Sequence, residues 1–219
     1  MNLEAWENQW SNLVLKNQTS HRAEGDPAHD FLHLQRVVTL AKKLATEEKA
    51  CLEIVIPAAW FHDWVNVPKN DPRRSQASQV SAEAVKKLLV EMKYPSHFID
   101  AISHAIEAHS FSANIETQTL EAQIVQDADR LDALGAIGIA RCFATASILG
   151  SSFYSAQDPF CQNREPDDRR YTVDHFFKKL LKIPDSLKTD AGRNEAKRRV
   201  EFMTTYLMEF GHELGTKES

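Results

Sequence analysis

Apolar residues recur every three or four positions along most of the chain, which is the spacing of one face of an α-helix. The segment 30–48 shows the pattern most plainly, with apolar side chains at Leu34, Val37, Val38, Ala41 and Leu44. The same spacing predicts five further helices. The first is capped by Ser75 or Ser78 and runs to about Met92, and the others run from Ser96 to about His109, from Leu120 to about Leu149, from Val173 to Lys182 and from Ala191 to Gly211.

The segment 51–63, CLEIVIPAAWFHD, is apolar on all sides and too long for a strand. It predicts a buried helix that either begins at Pro57 or is interrupted there. Loops are predicted at NVPKNDPRR, over 111–118 and over 151–169, which is the longest. With only 7 glycines in 219 residues, a turn-rich β fold is disfavoured. We expect an all-α bundle of about seven to nine helices in a single domain.

Composition and charge narrow the functional classes. The formal net charge is −5, which is not the electrostatic pattern of a protein dedicated to duplex nucleic acid. The three cysteines, Cys51, Cys142 and Cys161, form no CxxC pair and favour a reducing compartment. The first residues carry no secretory signal, and no run of about 18 apolar residues predicts a membrane span. We expect a cytoplasmic protein without nucleic-acid or membrane partners.

Two polar clusters interrupt apolar helices. The doublet His62-Asp63 ends the most apolar helix, and Asp127, Asp129 and Asp132 lie within VQDADRLDALG. Taken alone, the doublet fits a helix terminus and the acidic run fits a solvated face. However, Asp127 and Asp129 point in different directions, so at least one should point inward and need a partner. Imidazole and carboxylate ligands suit Mn²⁺, Fe²⁺, Co²⁺, Ni²⁺ or Mg²⁺ better than a structural Zn²⁺.

The order H…HD…D, read as HLQRV, WFHDW and DADRL, resembles the HD-domain superfamily of metal-dependent phosphohydrolases, whose core is all-α. The strings AHDFLHLQRV, FHDWVNVPKN, IEAHSFS and EAQIVQDADRLDALGAIGIAR are similar to bacterial HD hydrolases of the YedJ/YpgQ type, over about residues 29–205. The resemblance implies one HD domain over 1–219, with a metal-binding core at about 25–150 and C-terminal helices at about 170–212 packed on it. It implies one divalent metal, most consistent with Mn²⁺, held by His33, His62, Asp63 and Asp129.

The resemblance also separates neighbouring candidates. His33 is preferred to His29 because HLQRV matches the first position of the family's motif, and Asp129 is preferred to Asp127 because of its place in ADRL. Asp127 could orient a ligand histidine or accept a proton. The phosphate-binding candidates are Lys69, Arg36 and Lys179, and Lys69 is preferred because its loop directly follows the doublet. For each of them the alternative is a solvated surface charge.

His104 and His109 lie five residues apart and do not share a helix face well, so a single metal is favoured. His109 is then a phosphate ligand or proton carrier, or else, like His104, a helix-terminal histidine with local partners.

The implied activity is hydrolysis of a nucleoside triphosphate, ribo or deoxy, to the monophosphate and pyrophosphate by a metal-activated water. The stretch WVNVP lacks the Glu-Asp pair of (p)ppGpp hydrolases, and the GYP motif of cyclic-dinucleotide phosphodiesterases is absent. The alternatives are a phosphatase of small phosphomonoesters and a non-catalytic metal or nucleotide sensor. The expected partner is a small phosphorylated substrate, and a homo-oligomer is left open.

Overall fold

The computed structural model describes residues 1–21, 30–65, 67 and 74–215, and this part of the chain is all-α. It contains no strand, only an isolated bridge between Ser152 and Tyr171. Its nine α-helices are α1 (Leu3–His21), α2 (Phe31–Glu48), α3 (Leu52–Phe61), α4 (Ala77–Glu91), α5 (Ser96–His109), α6 (Leu120–Leu131), α7 (Gly135–Ile148), α8 (Thr172–Lys178) and α9 (Asp190–Glu213). Short 3-10 segments cover Arg74–Gln76 and Leu180–Ser186. The predicted all-α class and helix number are confirmed.

Backbone contacts group the chain into two compact units. The first unit comprises Met1–Asp129 and Lys188–Gly192, and the second comprises Arg130–Leu187 and Arg193–Ser219. The single-domain organisation therefore stays a prediction. Within the described residues, no single helix is long and apolar enough to cross a membrane. Helices α6 and α7 would be long and apolar enough only if they were counted as one segment, and the chain bends by 61° between them.

Helix α3 forms the core of the first unit. It is buried continuously from Val55 to Phe61 and packs against α1, α2 and α5, while α4 packs against α5. Trp10 of α1 lies edge-on to Phe61, with ring centroids 6.3 Å apart. A helix that is covered on every side needs apolar residues on every side, which explains its sequence. His62 and Asp63 follow directly at its C-terminal end.

Pro57 lies inside α3, so the helix neither begins nor breaks there as the sequence suggested. Proline has no N–H to donate to the carbonyl four residues earlier, which here belongs to Glu53. The Tyr94 hydroxyl donates to that carbonyl instead, at 2.8 Å. Tyr94 is buried, and burial together with the nearby Glu53 charge raises the pKa of its hydroxyl, which keeps it a donor.

The helix predicted from Leu120 to Leu149 is two helices in the structure. Gly135 opens α7 with a φ of +74°, a conformation that favours glycine. Arg199 donates to the Leu131 carbonyl at 2.7 Å and so caps the end of α6. The buried Asp132 accepts from Arg141, which fixes the turn between the helices. The break therefore depends on two arginines outside α6, one nine residues beyond Asp132 and one 68 residues beyond Leu131.

The long loop 151–169 is organised around the ion pair between Arg164 and the buried Asp174 in the second unit. Asp174, fully buried in α8, accepts hydrogen bonds from Nη1 and Nη2 of Arg164, with Nη2 at 2.7 Å from Oδ1. Arg164 also donates to the Asp158 carbonyl at 2.9 Å and lies over the Tyr171 ring, 5.1 Å from its centroid. Although burial raises the pKa of the Asp174 carboxyl, the hydrogen bonds from Arg164 and from the Asp167 N–H outweigh it, and the net pKa is lowered.

Candidate metal centre

Five titratable side chains from four helices converge within the first unit. His33 lies on α2, His62 and Asp63 directly follow α3, His109 is the last residue of α5, and Asp129 lies on α6. The three imidazoles are buried, whereas the Asp63 and Asp129 side chains are 33% and 30% exposed. The cluster thus has a buried nitrogen side and a carboxylate side that reaches solvent.

The donor atoms lie too far apart for hydrogen bonds and close enough to share an ion. His33 Nε2 is 3.5 Å from Asp129 Oδ1, and His62 Nε2 is 3.8 Å from the same oxygen. Asp63 lies 3.6 Å from His62 Nε2 through Oδ2 and 3.6 Å from His109 Nε2 through Oδ1. Two donors that each bind one ion at about 2.1 Å are about 3.0 Å apart at a right angle and about 4.2 Å apart across it. The observed separations lie in this range.

His62 and His109 are oriented in the same way. Each directs Nδ1 at the carbonyl three residues earlier, His62 at Ala59 (2.8 Å) and His109 at Ile106 (2.6 Å). A carbonyl can only accept, so Nδ1 carries the proton and Nε2 is turned toward the cluster. A hydrogen bond of this kind sets the tautomer and ring orientation of metal-binding histidines.

Burial and local charge act differently on these two imidazoles. Burial lowers the pKa of His62 against the opposing effect of Asp63, which favours the neutral form that binds metals. Burial also lowers the pKa of His109, but the attraction of the nearby Asp63 carboxylate outweighs it, with a smaller contribution from the Asp129 charge, so the net pKa of His109 is raised. The doublet carboxylate is therefore shared between two histidines with opposite charge preferences.

His33 is placed by the start of α2. The Asp30 side chain accepts from the His33 N–H at 2.8 Å, an N-cap bond that begins the helix immediately before the histidine. His33 is buried, and its ring lies edge-on to that of His62 at 5.5 Å. The capping residue thus fixes where the first histidine of the H…HD…D order enters the cluster.

A buried nitrogen in the cluster supports binding of a divalent metal. His62 Nε2 is buried and makes no hydrogen bond with any residue in the described part of the chain. A buried polar nitrogen without a hydrogen bond costs free energy that a bound ligand would recover. His62 belongs to two groups of three donors whose ligand atoms all lie within 4.8 Å of one another. The first group is His33, His62 and Asp129, and the second is His62, Asp63 and His109. Nitrogen and carboxylate donors together suit Mn²⁺, Fe²⁺, Co²⁺ or Ni²⁺.

Asp127, the other aspartate considered for the site, contacts the segment that precedes α9. It is fully buried, and its carboxylate accepts from the N–H of Lys188 (2.9 Å), the N–H of Thr189 (2.8 Å) and the Thr189 hydroxyl (2.8 Å). This carboxylate holds the two residues that precede α9, and the Thr189 hydroxyl in turn accepts from the Gly192 N–H in the first turn of that helix at 3.0 Å. The expectation that one aspartate of the acidic run points inward to a partner is confirmed by Asp127.

The other predicted candidates lie in several places. Arg36 is half-buried on α2, one turn after His33, and Lys179 is exposed at the end of α8 in the second unit. Lys69 and His29 lie outside the described residues. His104 accepts from the Gln118 N–H at 3.0 Å through Nε2 and contacts Glu107 through Nδ1, so both ring nitrogens have local partners.

Sequence reasoning missed the residues that hold the backbone after the doublet. Asn17 of α1 donates to the Trp64 carbonyl at 2.9 Å, and the buried Ser81 hydroxyl of α4 accepts from the Val65 N–H at 3.0 Å. These bonds fix the two residues that follow Asp63. Neither Asn17 nor Ser81 lies near a motif in the sequence, so no local signal could have identified them.

Comparisons with known proteins agree with this arrangement. A family model for the HD domain matches residues 31–134. The uncharacterized protein YpgQ of Bacillus subtilis is 34% identical over 202 residues, which span 90% of this chain and 87% of the relative. The crystal structure of B. subtilis YpgQ in complex with ADP matches with a TM-score of 0.75 and 32% identity, over 97% of each chain.

A second solved structure with the same fold is that of a hydrolase. An HD-superfamily hydrolase from Bacillus thuringiensis matches with a TM-score of 0.76 and 28% identity, over 98% of this chain and 99% of that one. The range matched by the family model includes all five residues of the cluster. This chain belongs to the HD-domain superfamily of hydrolases.

Proposed function

We propose that this hydrolase is a metal-dependent nucleotide phosphohydrolase that converts ribo- or deoxynucleoside triphosphates to the monophosphate and pyrophosphate. The observation that carries the proposal is the buried His62 Nε2, which makes no hydrogen bond with the described residues and faces the carboxylates of Asp63 and Asp129. Nitrogen and carboxylate donors aimed at one point form a typical binding site for a divalent cation.

The metal ligands in this proposal are His33, His62, Asp63 and Asp129, and the metal is Mn²⁺. A divalent ion at such a site lowers the pKa of a bound water and neutralises charge on a phosphoryl group. The neutral, buried His62 and the capped His33 supply rigid nitrogens, and the two half-exposed carboxylates supply the negative charge that attracts the cation. These four residues, at or near helix ends, would hold the ion.

Substrate would approach from the carboxylate side of the cluster, where Asp63 and Asp129 reach solvent. His109 adjoins Asp63 there, in a position for a phosphate ligand or proton carrier. The relative YpgQ was crystallised in complex with ADP, which supports a nucleotide as the substrate class. Lys69, Arg36 and Lys179 stay candidates for phosphate contacts, and a cytoplasmic location agrees with three free cysteines.

Product analysis tests this proposal. The Mn²⁺-loaded protein is incubated with a panel of nucleoside and deoxynucleoside triphosphates, and monophosphate, pyrophosphate and orthophosphate are quantified. We expect monophosphate and pyrophosphate in equal amounts, and none with Asp63→Ala. His104→Ala is the matched control, because this histidine lies on α5 with both ring nitrogens engaged locally.

The alternatives give different products. Orthophosphate from phosphomonoesters, with triphosphates untouched, would replace the proposal with a small-molecule phosphatase. Metal binding without turnover of any nucleotide or phosphomonoester would replace it with a sensor.

A further inference from the structure

The C-terminal turn of α5 is held by three side chains. The last carbonyls of a helix have no partner within the helix and need one elsewhere. The Ile106 carbonyl accepts from His109 Nδ1 (2.6 Å), the Glu107 carbonyl from the Ser78 hydroxyl (2.9 Å), and the Ala108 carbonyl from Gln126 Nε2 (2.7 Å). His109 is the last residue of this helix, so these bonds determine where its imidazole lies.

Gln126 is the member of this group that joins two parts of the cluster. It lies on α6, three residues before Asp129, and positions three apart share a helix face. Its bond to Ala108 therefore links the helix that carries Asp129 to the residue immediately before His109. A shift of the α5 terminus would move His109 Nε2 away from Asp63 Oδ1, which it approaches at 3.6 Å.

The Gln126 amide is only half satisfied, which argues against a purely structural role. The Ala108 carbonyl is solely an acceptor, so the amide nitrogen must face it and the amide orientation is determined. The remaining oxygen, Oε1, is buried and makes no hydrogen bond with any residue that the structure describes. Burying this acceptor costs free energy that an apolar side chain of the same length would avoid.

We infer that Gln126 is a positioning residue of the site, which holds the end of α5 so that the His109 imidazole faces Asp63. The catalytic consequence of this role rests on the proposed function, whereas its structural consequence does not. In this role Gln126 acts through His109, by way of its bond to the Ala108 carbonyl. Its effect on turnover should therefore disappear when the imidazole is removed.

A double-mutant cycle tests this dependence. Gln126→Met keeps the length of the side chain and removes the donor, and we expect kcat/KM to fall about tenfold, as for residues that orient a site's ligands, with Mn²⁺ affinity unchanged. In a His109→Ala background the same substitution should change kcat/KM by less than twofold. Equal losses in both backgrounds would overturn the inference, because independent effects multiply.

Tyr94→Phe is the matched control. It also removes one buried side-chain donor from a helix carbonyl, that of Glu53 near the start of α3. Glu53 lies nine residues before His62, about 13 Å along the helix. We expect Tyr94→Phe to leave kcat/KM within twofold of wild type. A tenfold loss in this control would overturn the inference, since general loosening of the core would then explain the effect of Gln126→Met.

A spectroscopic measurement separates the inference from the proposed function. The imidazole signals of protein labelled with ¹⁵N-histidine are recorded without substrate, and the His109 signals are assigned by their loss in His109→Ala. Gln126→Met should shift the His109 ring nitrogens and leave those of His104 in place, and Tyr94→Phe should shift neither. Unchanged His109 signals in Gln126→Met would overturn the inference whatever the turnover. Shifted signals in a protein that hydrolyses no nucleotide would support it while the proposed function fails.

Discussion

Gly192 lies so close to Asp127 that a Cβ atom on this glycine would come within 2.5 Å of the carboxylate Oδ2. The carboxylate cannot move away at low cost because it accepts three hydrogen bonds from Lys188 and Thr189. The glycine is therefore needed for close approach of the α9 terminus to the helix that also carries Asp129.

Gly192→Ala should lower the free energy of unfolding by about 1–3 kcal/mol, the usual cost of overpacking a tight site. Chemical denaturation of the purified variant measures this loss. Asn194→Ala, an exposed substitution on the same helix, is the control and should change stability by less than about 0.5 kcal/mol. Equal stability of wild type and Gly192→Ala would show that the Asp127 carboxylate is not fixed as described.

The ion pair of Arg164 and Asp174 makes a prediction about pH. Asp174→Asn should destabilise the protein at pH 7 by about 3 kcal/mol, because it breaks the ion pair between the fully buried Asp174 carboxylate and the partly exposed Arg164 guanidinium. The pKa of Asp174 is lowered in the folded state, so its stabilising contribution is present above the unfolded pKa of about 3.9 and is lost as the pH falls through the lower folded value.

Urea denaturation of wild type and Asp174→Asn at pH 7 and near pH 3 checks this dependence. The stability difference should shrink as the acid protonates the wild-type carboxyl. Glu165→Gln, at an exposed position in the same loop, is the control and should change stability by less than about 0.5 kcal/mol. A difference for Asp174→Asn that stays constant down to pH 3 would mean that the pair is not ionised as proposed.

Metal binding should stabilise the folded chain, and the cluster residues should be required for this. A ligand at one hundred times its dissociation constant adds about 2.7 kcal/mol to folding stability. Mn²⁺ should therefore raise the Tm of wild type, and His62→Ala should abolish the increase. His104→Ala should keep it, because His104 has its own partners at Gln118 and Glu107. An unchanged Mn²⁺ response in His62→Ala would remove His62 from the ligand set.

His109 should matter for turnover and much less for metal affinity. His109→Ala should lower kcat/KM by about 100-fold, the scale of a positioned proton carrier, while the Mn²⁺-induced change in Tm persists. Steady-state kinetics and thermal unfolding on the same preparations give both quantities. Loss of Mn²⁺ binding in His109→Ala would instead make this imidazole a metal ligand.

Much of the fold could be predicted because its signals are local. The apolar spacing over 30–48 and the uniformly apolar segment 51–63 each describe the surroundings of a single helix, and α2 and α3 lie where these patterns place them. The predicted helix boundaries were wrong where a side chain from outside the helix determines whether the helix continues or ends. Pro57 is tolerated because Tyr94 supplies the missing donor, and α6 ends because Arg199 and Arg141 bind its terminus and the following turn.

Ser78 shows the same limit for helix caps. The sequence favours Ser75 or Ser78 as the cap before α4, but Gln76 occupies the N-cap position and makes no side-chain cap bond. Ser78 instead donates to Glu107, 29 residues away. A serine near a helix start is a local signal, whereas its actual partner is set by how α4 packs against α5.

The candidate site was predictable only in its motif residues. The H…HD…D order led to His33, His62, Asp63 and Asp129, which the structure brings together. The spacing of His104 and His109 could not show which of them enters the cluster, because that depends on the Ile106 carbonyl and on Gln118. Gln126, Asn17 and Ser81 were not found since their partners are backbone groups on other elements.

The most direct test of the central claim is a titration of Mn²⁺ into chelator-treated protein, with pyrophosphate release and bound metal measured in the same samples. If the His33, His62, Asp63 and Asp129 cluster holds the ion that drives hydrolysis, release should rise in proportion to bound Mn²⁺ and stop at one ion per chain. His62→Ala should show neither binding nor release. Pyrophosphate release from the metal-free chain, or full release from His62→Ala, would contradict the account.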